Sequence, residues 1–377
     1  MVALILHIGS HKTATTSLQH FCTKNTAALQ AEGFYYPSPQ NSAYTHNYLA
    51  ANLVFDRMRD TRDYLDKARL YAEKNNLHSV VLSGESFFAM TCFFLDFYDR
   101  KRLHDDYFEN ELFYINAFKD MVADFTEVKI IAYLRPQDSF AGSLYNQLVK
   151  ATNGTTLRYQ DCLDKIKNCF NYKGHMDLWA KAFGQKNVQV FNFDTCKSDI
   201  LRHFCDNALN SKCYKHATNK EFLANTRLNR DVLEAKRIFN YVTPDPALAY
   251  VSMRVFKALD NNYPDEKGWQ IFTPLSFQVN FFSQFDTGNK QMAKAYQHFE
   301  IATLKVKEEP TYTGLTDERR DQILEEARQG ILSLTHRTEI GLRRSIHLLL
   351  KLAPITSTPV KHLRKLVYNL RLRFKGW

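Results

Sequence analysis

Residues 7–19 read His7-Ile8-Gly9-Ser10-His11-Lys12-Thr13-Ala14-Thr15-Thr16-Ser17-Leu18-Gln19. Upstream, Val2–Ile8 is a short apolar run with β-branched residues, which predicts a buried strand. Downstream, Leu18, Phe21, Cys22 and Leu29 recur at helical spacing, which predicts a helix over Ser17–Gln30. A strand, a small polar turn and a helix in succession aim loop amides and a helix N-terminus at one point, which favours an anion there. One lysine and three threonines in the turn add a cation and hydroxyls. The nucleoside triphosphate loop Gly-x-x-x-x-Gly-Lys-Ser/Thr fits poorly. Gly9 is the turn's only glycine, and Lys12 follows it by three residues instead of six. A polar turn whose threonines merely cap a helix has the same composition.

Outward from this unit the pattern repeats. His78–Ser83, Val128–Leu134 and Val188–Phe193 read as further strands, and Pro136 follows the third. Helical spacing occupies much of Asn41–Asn76, then Ile115–Phe125, Phe140–Lys150 and Tyr172–Phe183. Strands alternating with helices predict an α/β fold, a parallel sheet flanked by helices. Beyond residue 220 the additions are mostly helical: Val232–Tyr241, Tyr250–Leu259, Lys290–Phe299 and Asp317–Leu334, the last opened by Thr316 as N-cap. Arg135 sits at the carboxyl end of a predicted strand, where open α/β sheets bind ligands. Ser143 follows eight residues later on the next helix. A guanidinium and a hydroxyl so arranged can share one phosphate.

The chain has 377 residues, 45% apolar and 24% charged, which excludes a disordered, collagenous or polytopic membrane protein. Its net charge is +10. Nine basic and no acidic side chains fall in residues 341–377, so the body before them is close to neutral. The expected division is a main domain over 1–335 and a basic extension over 336–377. Val360, Leu363, Leu366, Val367, Leu370 and Phe374 would share one face of a helix in that extension, with the charges largely elsewhere. An anionic membrane surface, a polyanionic glycan, or simple packing on the main domain each suits this pattern. No nucleic-acid module is present, and no nucleic-acid partner is expected.

Seven cysteines are scattered without a Cys-x-x-Cys pair or zinc spacing, which predicts free thiols in a reducing compartment. The first residues lack the basic start and the length of an export signal. No stretch reaches the apolar length that spans a bilayer, Ile346–Leu350 being cut by Lys351. The expected location is cytoplasmic, with peripheral contact at the inner membrane as an extension of the same reading.

Residues 7–19, HIGSHKTATTSLQ, together with residues 133–147, YLRPQDSFAGSLYNQ, resemble the two donor-binding motifs of sulfotransferases that use 3′-phosphoadenosine 5′-phosphosulfate. Order and Arg-to-Ser spacing both agree, and residues 80–88, VVLSGESFF, resemble the family's middle strand. The likeness is to bacterial carbohydrate-type members and covers roughly residues 1–200. It implies a P-loop-like sheet and transfer of a sulfuryl group to a hydroxyl of a carbohydrate or glycolipid, leaving adenosine 3′,5′-bisphosphate. It also implies no metal, because fixed cations and amides take that role. Lys12 would offset charge on the bridging oxygen of the leaving group. Thr13, Ala14, Thr15, Thr16 and Ser17 would line the 5′-phosphate, and Arg135 with Ser143 the 3′-phosphate. Ala14 stands where the family usually has glycine, and a helical φ is expected there.

Glu85, just after a predicted strand expected to adjoin the Arg135 strand, is the candidate general base, with partial burial expected to raise its pKa toward the working range. A helix-capping role is the alternative. His46 and His11 are reserves, His11 more naturally shaping the loop, and His7 reads as a core histidine. The aromatic run Phe87–Tyr114 would line a sugar site or form core. The competing functions are a nucleotide-dependent kinase on the same architecture and a non-catalytic nucleotide- or membrane-binding module.

Overall fold

The computed structural model describes residues 1–40, 42–151, 154–223, 227–243, 246–264, 275–297, 299 and 314–337. The basic segment 341–377 lies outside them. The protein is α/β, with a five-stranded parallel sheet flanked by helices. Strands β1 (Ala3–Gly9), β2 (Phe34–Tyr35), β3 (Ser79–Ser83), β4 (Val128–Leu134) and β5 (Val188–Asn192) lie in the order β2-β3-β1-β4-β5. Register pairs His7 with Ser83 on one side of β1 and Gly9 with Ala132 on the other. The chain thus builds to one side of β1 with β2 and β3, then to the other with β4 and β5, so the strands that lead to Glu85 and Arg135 do not adjoin as expected but flank β1. The carboxyl end of β1 falls where α/β sheets place ligands.

The strands are near-continuously apolar because both faces are covered. Ile5, Val81, Ile131, Tyr133 and Phe191 join one core cluster with Leu18, Phe21 and Phe204. Leu4, Leu6, Val80, Leu82, Ile130 and Leu134, alternating with them, are buried as well. The longer helices are α1 (Thr15–Lys24), α2 (Met58–Lys74), α3 (Tyr107–Met121), α4 (Gln137–Lys150), α5 (Tyr172–Phe183), α6 (Arg230–Val242), α7 (Pro246–Leu259), α8 (Asp286–Ala295) and α9 (Asp317–Arg337). One compact unit comprises Met1–Ala141, Leu163–Asn225 and Val279–Val306, and holds the sheet. A second comprises Gly142–Cys162, Thr226–Gln278 and the described part of 307–377, in which α9 packs on α6 and α7. The aromatic run divides: Phe87, Phe88, Tyr107 and Tyr114 are buried in the core, whereas Tyr98 and Phe113 are exposed. All seven cysteines are buried and unpaired by disulfides. No described helix is long and apolar enough to cross a membrane.

Two differences from the sequence expectation have local causes. The first helix stops at Lys24, because Asn25 turns its side chain to Phe21 O (2.9 Å) and Asn219 O (2.7 Å). The helical stretch expected within 41–76 is two helices, Asn47–Val54 and Met58–Lys74, separated where Asp56 takes a left-handed φ of 55°.

Burial lowers the pKa of several histidines in the fold. His7, His46 and His175 are each held down to about 4 by loss of solvent. Protonation in the unfolded chain begins near the ordinary histidine value, so the native state binds fewer protons between pH 6.5 and 4. Stability is therefore full above pH 6.5 and falls as the solution is acidified through that window, by up to ~3 kcal/mol per histidine. Glu111, raised to about 7 by burial, acts in the opposite sense over an overlapping range, stabilising as pH falls from 7. Three groups outweigh one, so the melting temperature is expected to drop between pH 6.5 and 4.5, as scanning calorimetry would register. A flat profile there would contradict the assignment.

Candidate active site

The loop after β1 is held at both ends. Gly9 adopts φ +86°, and a Cβ on it would lie 2.7 Å from Cβ of Glu85, so only glycine lets β1 leave the sheet beside the turn that follows β3. Ser10 N donates to Tyr133 O (2.8 Å), fastening the loop to β4. Thr13 Oγ1 donates to Ser10 O (2.7 Å) and closes the turn. Between these fixed points the backbone goes left-handed twice, at Lys12 (φ 66°) and Ala14 (φ 56°). The helical φ expected at Ala14 is thus corrected: the turn keeps a conformation natural to glycine although a methyl group is present. A left-handed L-residue costs about 1–2 kcal/mol, partly balanced by the greater unfolded freedom of glycine. Ala14→Gly is expected to stabilise the fold by about 1 kcal/mol, measured as a shift in urea midpoint at unchanged slope. A loss of stability would mean that the methyl packs productively.

Beyond Ala14, Thr15 and Thr16 open α1, and their amides are among those a helix leaves without a carbonyl of its own. Ala14 O accepts from Ser17 N (2.9 Å) and Leu18 N (3.2 Å). The Ser17 hydroxyl donates to Leu223 O (3.3 Å) and accepts from Leu223 N (3.0 Å). Of the hydroxyls expected around a 5′-phosphate, those of Thr13 and Ser17 are therefore engaged in holding the loop and helix.

The second motif meets the first directly. Arg135 Nη1 donates to Lys12 O (3.2 Å), across 123 residues of chain. Its Nε donates to Ser139 Oγ (2.9 Å), its guanidinium lies 5.6 Å from the Phe193 ring centroid, and its carbonyl accepts from Tyr172 OH (2.9 Å). Burial lowers its pKa while Asp194, Tyr172 and Asp138 raise it, and arginine stays charged at neutral pH. Ser143 is buried on the part of α4 that belongs to the second unit. Ser139 was not singled out by sequence. Its place one turn beyond Arg135, at the start of α4, is the signal that identifies it.

Glu85 opens a single 3₁₀ turn after β3, and its Oε2 accepts from Gln19 Nε2 (2.7 Å). Burial alone would raise its pKa. The nearby His11 ring, its own backbone amide and the Gln19 and Asn47 side chains outweigh that and hold the carboxyl below its ordinary range. The expected upward shift is thereby reversed: Glu85 is a carboxylate at neutral pH. Gln19, the last residue of the first motif, is a further site residue that sequence reasoning passed over.

The histidines separate cleanly. His46 Nδ1 accepts from Ser83 N (3.2 Å) and its Nε2 lies 3.1 Å from Pro37 O and 3.0 Å from Tyr64 OH, so its lone pair is occupied. His7 Nδ1 lies 2.8 Å from Ser83 Oγ, inside the sheet. His11 is buried, desolvation lowering its pKa against the attraction of Glu85, and its ring lies edge-on to Phe93 at 4.2 Å. Its Nε2 has no hydrogen-bond partner among the described residues.

A lysine-bearing left-handed loop, open helix amides, a clamped arginine and an ionised glutamate thus converge at the carboxyl edge of β3, β1 and β4. This collection can hold a doubly anionic ligand and accept a proton. No protein-family model and no curated protein matches the chain. Among solved structures it is similar to a sulfotransferase from Alicyclobacillus acidocaldarius, at 16% identity and a TM-score of 0.34, over 68% of this chain and 95% of that one. No group of three potential metal ligands occurs among the described residues.

Proposed function

We propose that the protein transfers a sulfuryl group from 3′-phosphoadenosine 5′-phosphosulfate to a hydroxyl of a carbohydrate or glycolipid. The observation that carries this reading is the hydrogen bond from Arg135 to the carbonyl of Lys12, which unites two separate anion-binding elements. A donor with phosphate at both its 3′ and 5′ positions needs two such elements side by side. In this reading the Lys12 ammonium and the Thr15 and Thr16 amides face the donor from the edge where Arg135 meets the loop.

When bound, the donor supplies an activated sulfur whose bond to the 5′-phosphate oxygen is the one broken. The chain's residues do the rest by position and charge. Lys12 offsets the negative charge that grows on that oxygen. The loop amides hold the 5′-phosphate, and Arg135 with Ser143 holds the 3′-phosphate. Glu85 takes the proton of the acceptor hydroxyl as the new oxygen–sulfur bond forms, and adenosine 3′,5′-bisphosphate leaves. Residues 1–335 would form the catalytic part. The basic side chains of 341–377 would attract an anionic glycan or the inner face of a membrane, placing the enzyme in the cytoplasm beside it.

Thermal denaturation in the presence of nucleotides tests the reading. Adenosine 3′,5′-bisphosphate is expected to raise the melting temperature more than AMP or ATP at equal concentration, because only a ligand of the native state shifts the equilibrium. Arg135→Lys keeps the charge but loses the forked donor. It is expected to weaken the bisphosphate about ten- to a hundredfold and leave AMP nearly unchanged. A preference for ATP with Mg²⁺ would transfer the assignment to a kinase.

A further inference from the structure

One cleft of the first unit has no part in donor binding as described. It has a volume of ≈ 390 Å³, in the range of small-molecule sites, and opens between the Lys167–Phe170 turn with the start of α5 on one side and the start of α8 on the other. Two independent contacts fasten it to the end of β4. On one wall the Tyr172 hydroxyl donates to the carbonyl of Arg135 (2.9 Å). On the other, Asn289 exchanges amide hydrogen bonds with Gln137, two residues beyond Arg135 (2.8 and 3.1 Å). The cleft is therefore anchored at the same sheet edge as the clamped arginine, with Gln137 buried beneath it.

Its chemistry is unlike an apolar pocket. Amides predominate, with Asn168 and Gln291 among them, and neither side chain is engaged in a hydrogen bond among the described residues. Phe285 supplies a ring. Two lysines, Lys167 and Lys173, border it, Lys173 paired with Asp177 and Lys167 exposed. Amides that donate and accept suit ligand hydroxyls, a ring face suits a flat C–H surface, and an unpaired ammonium suits a carboxylate. These requirements meet in one ligand class.

We infer that this cleft binds an acidic sugar, a hydroxyl-rich ring bearing a carboxylate, as the acceptor. The acceptor role rests on the transfer reaction proposed above, whereas the binding itself does not.

Calorimetric titration of the full chain with cellobiuronic acid and with cellobiose separates the two. The acidic disaccharide is expected to bind and the neutral one to bind about tenfold more weakly or not at all. Lys167→Glu, at an exposed position whose side chain has no hydrogen bond or ion pair among the described residues, is expected to weaken the acidic sugar about tenfold and leave cellobiose unchanged. Asn168→Ala is expected to weaken both. Equal affinity for the two sugars, or acidic-sugar binding untouched by Lys167→Glu, overturns the inference. Adenosine 3′,5′-bisphosphate titrated in parallel reports on the donor site alone. If it binds while the acidic sugar does not, the cleft assignment falls and the transfer reaction stands. If it fails while the sugar binds with the stated lysine dependence, the cleft stands and the reaction falls.

Discussion

Lys12→Ala is expected to lower the single-turnover rate of sulfuryl transfer about 10²–10³-fold while weakening donor binding far less. The range is that for removing one preorganised group facing charge that develops only in the transition state. The asymmetry follows from the loop. The ground-state donor is held by amides and by Arg135, neither of which is removed. The substitution is clean in one respect: Lys12 already has φ 66°, and alanine meets the same left-handed cost as lysine. The Lys12 carbonyl, which accepts from Arg135, is retained too. Turnover that survives intact would remove Lys12 from the chemistry. Equal losses in donor affinity and rate would make it a binding group only.

The second large effect belongs to Glu85. Glu85→Gln is expected to reduce turnover at least 10²-fold, within the range for a positioned general base, with the donor affinity unchanged. The carbonyl oxygen of the introduced side-chain amide can still accept from Gln19, so the turn beside Gly9 should persist. The pH profile sharpens the test. His11 and the Gln19 and Asn47 side chains help hold Glu85 below the usual carboxylate range, so the base is already deprotonated above that range. The acid limb of kcat/KM attributable to it should therefore fall below the ordinary glutamate value of about 4.3, with no inflection from this group near neutrality. An inflection at the ordinary histidine value, about 6.5, that survives in Glu85→Gln and vanishes in His11→Asn would move the base to His11.

Much of this site could be read directly from the chain, and the reasons are local. An apolar run, a small polar turn and a helical period mark β1, the loop and α1 without reference to anything distant. Arg135 announced itself by standing between a β-branched strand and Pro136. What escaped was set by partners from elsewhere in the chain. Ala14 is left-handed because Ser10 is tied to Tyr133 and Gly9 abuts Glu85, constraints contributed by β4 and by the turn after β3. The Glu85 shift took the opposite direction because His11, Gln19 and Asn47 come from other segments, and only burial can be guessed from composition. Phe34–Tyr35 is too short to show any period, and exists because β3 offers it an edge.

The strand order also governs how such a chain is made. With β1 flanked by β3 and β4, a strand made well before its second neighbour stays unpaired on one side until β4 has emerged, and the arginine clamp cannot close before residue 135 follows. Nascent pieces that stop earlier would display a bare, β-branched ribbon, the sort of surface that chaperones cover and neighbouring copies adhere to.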